Sequence, residues 1–184
     1  HATSQFNSLE NRVRQLVNKY PENTNLQNIL GYSFRGQWKL NEAVKIFEKI
    51  IKTQPDYYFA YNNMGNVLKD LCRLDEAKVY YQKCININPR HINAYIGLGQ
   101  ILLDFNKLSE SEAVFKKALR VEPNNGQLHR HLSQVIKYEK INSHLSDMEN
   151  IISNGDATHN QQMHLSFALG KAYEDMKSYD KAFS

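Results

Sequence analysis

Three glycines stand 34 residues apart in this sequence, at Gly31, Gly65 and Gly99. Each lies in a stretch with helical periodicity, where glycine costs about 1 kcal/mol relative to alanine, so a packing requirement must favour it. Alignment on the three glycines brings apolar, small, aromatic and proline residues into register at fixed distances. A fixed period of this length indicates stacked structural repeats, and no other feature constrains the fold as strongly.

The aligned columns define two helices in each repeat. Residues four and one before the glycine and three after it share one face of a first helix, and those 12, 16 and 19 after it share one face of a second helix. A proline 24 residues after the glycine ends the second helix. Each hairpin leaves an apolar face that only its neighbours can cover. We expect the glycine to let the two helices approach closely, opposite the small residues Ala43, Ala77 and Ser111.

This pattern resembles the tetratricopeptide repeat, W-x-x-L-G-x-x-Y followed by Ala, an aromatic residue, Ala and Pro. Only the tryptophan is missing, and Gln27, Tyr61 and Tyr95 stand in its place. The resemblance implies an all-α fold, a right-handed α-solenoid (superhelix) of stacked helix-turn-helix hairpins in a single array. The predicted parts are the second helix of a partial repeat at 5–22, repeats at 24–57, 58–91 and 92–125, a degenerate repeat at 126–155 and a truncated repeat at 159–184.

The pattern weakens towards both ends of the sequence. Leu9, Val13 and Leu16 predict the inward face of the partial repeat. Ser133 takes the place of the glycine in the degenerate repeat, and Gly170 restores it after 170 − 133 = 37 residues, so the register slips by three. The last repeat keeps Leu169, Gly170, Tyr173 and Ala182 but stops inside its second helix. We therefore expect the sequence to be a segment of a longer protein.

Composition argues against several classes of function. Apolar residues make up 41% and charged residues 23%, and the net charge is +4. No apolar run approaches the roughly 18 residues of a membrane span. Lysine and arginine are dispersed, so we predict neither a nucleic-acid nor a membrane partner. Without a signal segment, Cys72 and Cys84 predict free thiols in a reducing cytoplasm.

The first helices of a superhelix line its concave wall. The positions that face this wall are rich in carboxamides, which both donate and accept hydrogen bonds and so suit the main chain of an extended peptide. The predicted groove comprises Asn28, Tyr32, Arg35, Phe59, Asn62, Asn63, Asn66, Lys69, Asn93, Ile96, Gln100, Gln127, Arg130 and Gln134. Its cations are suited to acidic groups. The alternative interpretation is that these side chains only solvate an exposed face.

Further resemblances concern particular tetratricopeptide families. Chaperone-binding domains hold a C-terminal carboxylate with a Lys/Asn/Arg clamp, but Gly97, Gln127 and His131 occupy the corresponding places, so the clamp is missing. The second repeat is similar to those of O-linked N-acetylglucosamine transferase through Asn63 alone. The last third resembles the junction that precedes a sulfotransferase domain in bacterial proteins. This implies a bacterial origin and a catalytic domain beyond Ser184.

No pattern in the sequence predicts catalysis, a cofactor or a metal site. His129 and His131 point to opposite sides of a helix, and His129 falls in an inward column, which predicts a core position. The leading hypothesis is a non-catalytic scaffold that binds a protein or an extended peptide in the groove. The alternative is the recruiting region of a larger enzyme of the sulfotransferase or glycosyltransferase type. A third hypothesis is weak self-association through the incomplete ends of the array.

Overall fold

The computed structural model describes the backbone of residues 2–155, 157–178 and 180, and the side chains of that set from Glu10 onward. The described residues form ten α-helices and no strand. They are α1 (Ala2–Lys19), α2 (Thr24–Gly36), α3 (Leu40–Thr53), α4 (Tyr58–Asp70), α5 (Leu74–Ile87), α6 (Ile92–Asp104), α7 (Leu108–Val121), α8 (Gly126–Val135), α9 (Ser143–Ser153) and α10 (His159–Asp175). The chain divides into two compact units, unit 1 (His1–Gly97) and unit 2 (Leu98–Ser184).

The inward faces predicted from the 34-residue period are confirmed. Every residue in the three second-helix columns has no exposed surface; these are Ala43, Phe47, Ile50, Ala77, Tyr81, Cys84, Ser111, Phe115 and Ala118. The matching first-helix residues are also buried, among them Leu30, Met64 and Leu98. The all-α solenoid of helical hairpins therefore follows from the spacing of apolar residues.

The glycine columns make room for an aromatic ring. A Cβ atom on Gly31, Gly65 or Gly99 would stand 2.6, 2.8 or 2.3 Å from the ring of the aromatic residue 16 positions later. Phe47, Tyr81 and Phe115 thus fill the space beside the three glycines. The predicted packing requirement at the glycines is confirmed, but the sequence analysis did not predict that a ring lies against them. The small Ser111 hydroxyl still donates a hydrogen bond of 2.8 Å to the carbonyl of Gly99.

In three of the repeats the residue in the column four positions before the glycine fastens the first helix to the end of the preceding helix. Gln27 Nε2 donates to the carbonyl of Pro21, and Tyr95 Oη donates to that of Pro89 at 3.1 Å. His129 Nε2 bonds the carbonyl of Pro123 at 2.7 Å. Since a carbonyl only accepts, each side chain must supply a hydrogen. Three chemically different residues therefore perform one structural task.

The turns of the three regular hairpins and the turn after α10 each contain one residue with left-handed backbone geometry. Trp38, Cys72 and Asn106 have φ values of 59°, 59° and 57°, and Lys177 has 58°. The first three repeat with the 34-residue period. Left-handed geometry costs roughly 1–2 kcal/mol for most residues other than glycine. The turn therefore keeps its shape in both units although no glycine marks it.

Helix α1 is held to the first hairpin by a buried carboxylate. Glu10 accepts hydrogen bonds from Arg14 Nε at 2.6 Å, Gln37 Nε2 at 2.7 Å and Lys39 Nζ at 2.9 Å. Burial opposes ionisation, but these bonds outweigh it and lower the pKa of Glu10 to about 2.

The predicted inward face of α1 is only partly confirmed. Val13 is buried as predicted, whereas Leu16 is 42% exposed. That prediction was wrong because α1 packs against α2 and no helix of the described residues covers its other side. The side chain of Leu9 lies outside the described residues, and so does Ala182.

Candidate functional site

In unit 1 most of the predicted groove residues lie on two neighbouring first helices, α2 and α4, and Asn93 and Ile96 lie on α6. Side chains 35 positions apart join α2 to α4 across this face. Asn63 Nδ2 donates to Asn28 Oδ1 at 2.9 Å. Arg35 bonds both carboxylate oxygens of Asp70, through Nε at 2.5 Å and Nη2 at 3.2 Å. We call this surface the carboxamide face and define it by Asn28, Asn62, Asn63, Asn66 and Phe59.

The Arg35–Asp70 pair changes the electrostatics predicted for this face. The sequence suggested that Arg35 is suited to an acidic group of a partner. Its guanidinium is instead matched by a carboxylate of the same unit in bidentate geometry, the strongest form of ion pairing available to arginine. Arg35 and Asp70 therefore neutralise each other's charge on this face of unit 1.

Two of the predicted groove positions are buried. Asn62 is only 6% exposed and Ile96 only 8%, so neighbouring residues cover most of both side chains. An inner helix of a repeat array packs between two neighbours, and this covers positions that stay open on an end helix. Asn28 and Asn63 are half-buried, and Asn93 is exposed.

Asn62 has a hydrogen-bonding deficit that the sequence did not indicate. Its Nδ2 lies 3.4 Å from Asn63 Oδ1, at the long limit of a hydrogen bond. Its Oδ1 is buried and has no hydrogen-bond partner among the described residues. Such an atom costs about 1–3 kcal/mol, and native proteins contain few of them. Asn66 differs, because its Oδ1 accepts a hydrogen bond of 2.7 Å from the hydroxyl of Tyr81.

An aromatic cluster adjoins the carboxamides at the start of α4. Phe59 is 40% exposed and stacks on Tyr58, with ring centroids 4.2 Å apart. The rings of Tyr57 and His91 stand 5.6 Å from Phe59. His91 Nε2 is a second buried atom without a hydrogen-bond partner in the described part of the chain. Apolar contact area therefore lies one helical turn from Asn62.

In unit 2 the predicted groove residues differ in their surroundings. Gln127 and Gln134 are exposed, and Gln100 is half-buried. Arg130 is also half-buried, and its guanidinium carbon lies 4.8 Å above the centre of the Phe167 ring. Arg130 Nη1 is 3.4 Å from His164 Nδ1.

Phe167 and His164 were missed by the sequence analysis. The signal was present, because the offsets of −3 and −6 from Gly170 select these two positions. Phe167 is 59% exposed, the largest exposed fraction of any phenylalanine described.

A buried chain of polar side chains holds the degenerate hairpin of unit 2. Tyr138 Oη lies 2.5 Å from His144 Nδ1, and His144 Nε2 lies 2.9 Å from His129 Nδ1. Burial lowers the pKa of His144 to about 4, helped by the neighbouring His129 and Lys116, and burial also lowers the pKa of His129. The predicted core position of His129 is confirmed, since it is 2% exposed. Both histidines line a cavity of about 590 Å³ between α7 and α9.

Comparisons with known proteins agree with this geometry. Residues 58–91 and 92–125 each match a sequence model of the tetratricopeptide repeat. The chain is a tetratricopeptide-repeat protein. No curated protein matches its sequence.

Solved structures of other tetratricopeptide proteins share the fold at low sequence identity. TTC0263, a thermophilic protein of Thermus thermophilus, is 14% identical with a TM-score of 0.69, and the match covers 90% of this chain and 91% of that one. MamA is 15% identical with a TM-score of 0.64, covering 97% and 92%. The first tetratricopeptide domain of Spaghetti (RPAP3), solved with the HSP90 peptide SRMEEVD, is 20% identical with a TM-score of 0.57, covering 61% and 91%.

The described part of this tetratricopeptide chain shows no arrangement for metal chemistry. No group of three or more histidine, cysteine, aspartate or glutamate side chains is placed to hold a metal ion there. Within the same residues no helix is long and apolar enough to cross a membrane. Cys84 is buried and burial raises the pKa of its thiol to about 12, whereas Cys72 is exposed in a turn.

Proposed function

We propose that this tetratricopeptide protein binds an extended segment of another protein on the carboxamide face of unit 1. The observation that carries the proposal is the buried Asn62 Oδ1, an acceptor without a partner in the described residues, next to half-buried Asn63 and exposed Phe59. The unpaired acceptor lowers the stability of the fold, and no structural role among the described residues offsets this loss. A main-chain N–H from a bound segment would satisfy it.

The other carboxamides on the face support a main-chain ligand. Each has two N–H donors and one acceptor oxygen, whereas an extended peptide offers alternating N–H and C=O groups. The Asn63–Asn28 bond uses one donor of Asn63, and the Tyr81 bond uses only the oxygen of Asn66. In the complex the Asn62 carboxamide turns towards the segment, and Phe59 receives an apolar side chain.

The neutralised Arg35–Asp70 pair favours a segment that carries no acidic group at this position. The RPAP3 domain was solved with an acidic peptide, which shows that a related fold accepts a peptide. In this chain Gly97, Gln127 and His131 stand where the sequence resemblance places the clamp residues. An internal, uncharged stretch with an apolar side chain is therefore the proposed ligand.

The test begins with selection of peptides from a phage-displayed library on the full chain. Affinities of synthetic hits are then measured by fluorescence anisotropy for the wild type and for Asn62→Ala/Asn66→Ala. We expect at least about a tenfold loss of affinity, the effect of one or two lost hydrogen bonds. The matched control is Asn41→Ala/Asn86→Ala, which removes two exposed asparagines from the second helices α3 and α5.

Stability separates a binding role of Asn62 from a structural one. Because Asn62 Oδ1 has no partner in the described residues, Asn62→Ala should leave the free energy of unfolding unchanged or raise it by about 1 kcal/mol. A loss of stability together with unchanged affinity would assign Asn62 to the fold and contradict the proposal. Unchanged affinity in the double variant would place the binding surface elsewhere.

A further inference from the structure

Unit 2 fixes Arg130 in an unusual position for a surface cation. The guanidinium lies over the Phe167 ring at 4.8 Å, and its Nη1 approaches His164 Nδ1 at 3.4 Å. Arginine can only donate, so His164 Nδ1 is the acceptor and the imidazole carries its hydrogen on Nε2. The ring and the imidazole thus hold the planar group from one face and one edge.

The backbone of unit 2 sets up this arrangement. Arg130 stands one helical turn after Gly126, where α8 and α10 approach so closely that a Cβ on Gly126 would be 2.6 Å from the carbonyl oxygen of Gln161. Gln161 Nε2 also donates to the carbonyl of Asn124 at 3.3 Å. At the other end of α8, Lys171 Nζ of α10 donates to the carbonyl of Ile136. The backbone of Arg130 therefore lies between two anchored points.

No carboxylate of the described residues pairs with Arg130. This contrasts with Arg35, which binds Asp70, and with Lys116 of the same unit, which binds Glu112 at 2.6 Å. Stacking on an aromatic ring leaves the in-plane N–H groups of a guanidinium open, and these match a carboxylate in bidentate geometry. His164 takes Nη1, so the edge formed by Nε and Nη2 remains for such a ligand.

We propose that Arg130, seated on Phe167 and His164, is a binding site for the carboxylate of an aspartate or glutamate side chain. A single bidentate guanidinium fits one side-chain carboxylate. The inference rests on the proposed function only for the molecule that carries the acid, a segment of a partner protein. It adds to unit 2 a recognition chemistry that the carboxamide face of unit 1 lacks.

The test uses short capped peptides on the full chain, so it does not depend on knowing the partner. Titration of 15N-labelled protein with acetyl-Gly-Glu-Gly-amide is followed through the side-chain Nε–Hε signal of Arg130 and, so that variants without this arginine can be compared, through the backbone amide signals of α8 and α10. The neutral probe is acetyl-Gly-Gln-Gly-amide, and two further probes carry phosphoserine or a free C-terminus with no acidic side chain. The variants are Arg130→Gln, Arg130→Lys and, as matched control in the same unit, the exposed Arg120→Lys.

We expect the glutamate peptide to shift the Arg130 signal and the glutamine peptide to leave it unchanged. Binding should weaken at least about tenfold in Arg130→Gln and by a smaller factor in Arg130→Lys, which keeps the charge but loses the planar fork. Arg120→Lys should bind like the wild type. Equal responses to the glutamate and glutamine peptides, or equal losses in Arg130→Gln and Arg120→Lys, would overturn the proposal.

Two further outcomes would reassign the ligand. Tighter binding of the phosphoserine or the free C-terminal peptide than of the glutamate peptide would contradict a side-chain carboxylate. All of these measurements report on unit 2. The tripeptide probes are too short to test the peptides selected for the carboxamide face. A negative result at Arg130 therefore does not affect the interpretation of the Asn62 experiment. A negative result at Asn62 likewise does not affect the interpretation of the Arg130 titration.

Discussion

Tyr81 in unit 1 and Tyr138 in unit 2 are both fully buried tyrosines whose hydroxyls form hydrogen bonds, but different interactions hold them. Tyr81 packs between Gly65 and Gly97, whose Cβ atoms would stand 2.8 and 2.4 Å from its ring. Its hydroxyl reaches half-buried Asn66. Tyr138 instead contacts His144, which contacts His129. The regular repeat is held mainly by shape, and the degenerate one by a polar chain.

When both histidines are neutral, the hydrogen bonds of the polar chain in unit 2 all run in one direction from donor to acceptor. The Pro123 carbonyl fixes the hydrogen of His129 on Nε2, so Nδ1 accepts from His144 Nε2–H, and His144 Nδ1 accepts from Tyr138 Oη–H. Every donor and acceptor in this line is used. A proton added to either imidazole introduces a buried charge and reverses part of the line. The comparison thus teaches that loss of the repeat consensus in unit 2 is compensated by interactions that depend on pH.

The largest expected effect is an acid destabilisation that originates in unit 2. Burial lowers the pKa of His144 to about 4 from a usual 6.5, so the unfolded chain binds more protons in that window. Stability is therefore complete above pH 6.5 and falls as the pH drops towards 4, with about 2.5 kcal/mol lost by pH 4.5. Urea unfolding at pH 7 and at pH 4.5 measures the difference.

The variant His144→Gln isolates this contribution. It keeps a polar side chain of similar reach and removes the titration, so its stability should change less with pH than that of the wild type. Burial also lowers the pKa of His91 in unit 1, and His91 is unchanged in both proteins, so its effect cancels in the comparison. Equal pH slopes for the two proteins would show that His144 is not buried in neutral form.

The second prediction compares removal of the two tyrosine hydroxyls. Tyr138→Phe leaves His144 Nδ1 without its donor in a buried site, and the expected cost is about 2 kcal/mol at pH 7. Tyr81→Phe deprives only Asn66, which is half-buried and can bond to water, so its expected cost is about 1 kcal/mol or less. Urea unfolding of both variants gives the two values. A larger loss in Tyr81→Phe would contradict the distinction between the two cores.

The fold was predictable because its cause is local in the sequence. The 34-residue period fixes which residues of α2 to α7 face inward, and all nine second-helix positions so selected are buried. The identity of the glycine's partner was not predictable in the same way. Spacing along two helices gives their shared face, but not which side chain lies between them, and the Tyr81 ring lies against Gly65.

The candidate site was less predictable than the fold. The offsets selected one face of each first helix, yet they did not separate exposed Asn93 from buried Asn62, because burial depends on neighbouring helices. They also gave no sign that Asp70 neutralises Arg35 or that Phe167 supports Arg130. Those pairings join residues 35 and 37 positions apart, and require knowledge of how helices are offset. A catalytic domain beyond Ser184 stays a prediction of the sequence resemblance alone.

The smallest predicted effect concerns the backbone geometry that both units share. Cys72 in unit 1 and Asn106 in unit 2 occupy the same turn position with φ near 59° and 57°. Glycine removes the strain of left-handed geometry but adds freedom to the unfolded chain, so Cys72→Gly should gain about 0.5 kcal/mol. Asparagine already tolerates this geometry, so Asn106→Gly should be close to neutral. Thermal midpoints at neutral pH under reducing conditions give the comparison. Equal gains in both variants would mean that the turn strains asparagine as much as cysteine, which would contradict the expected difference.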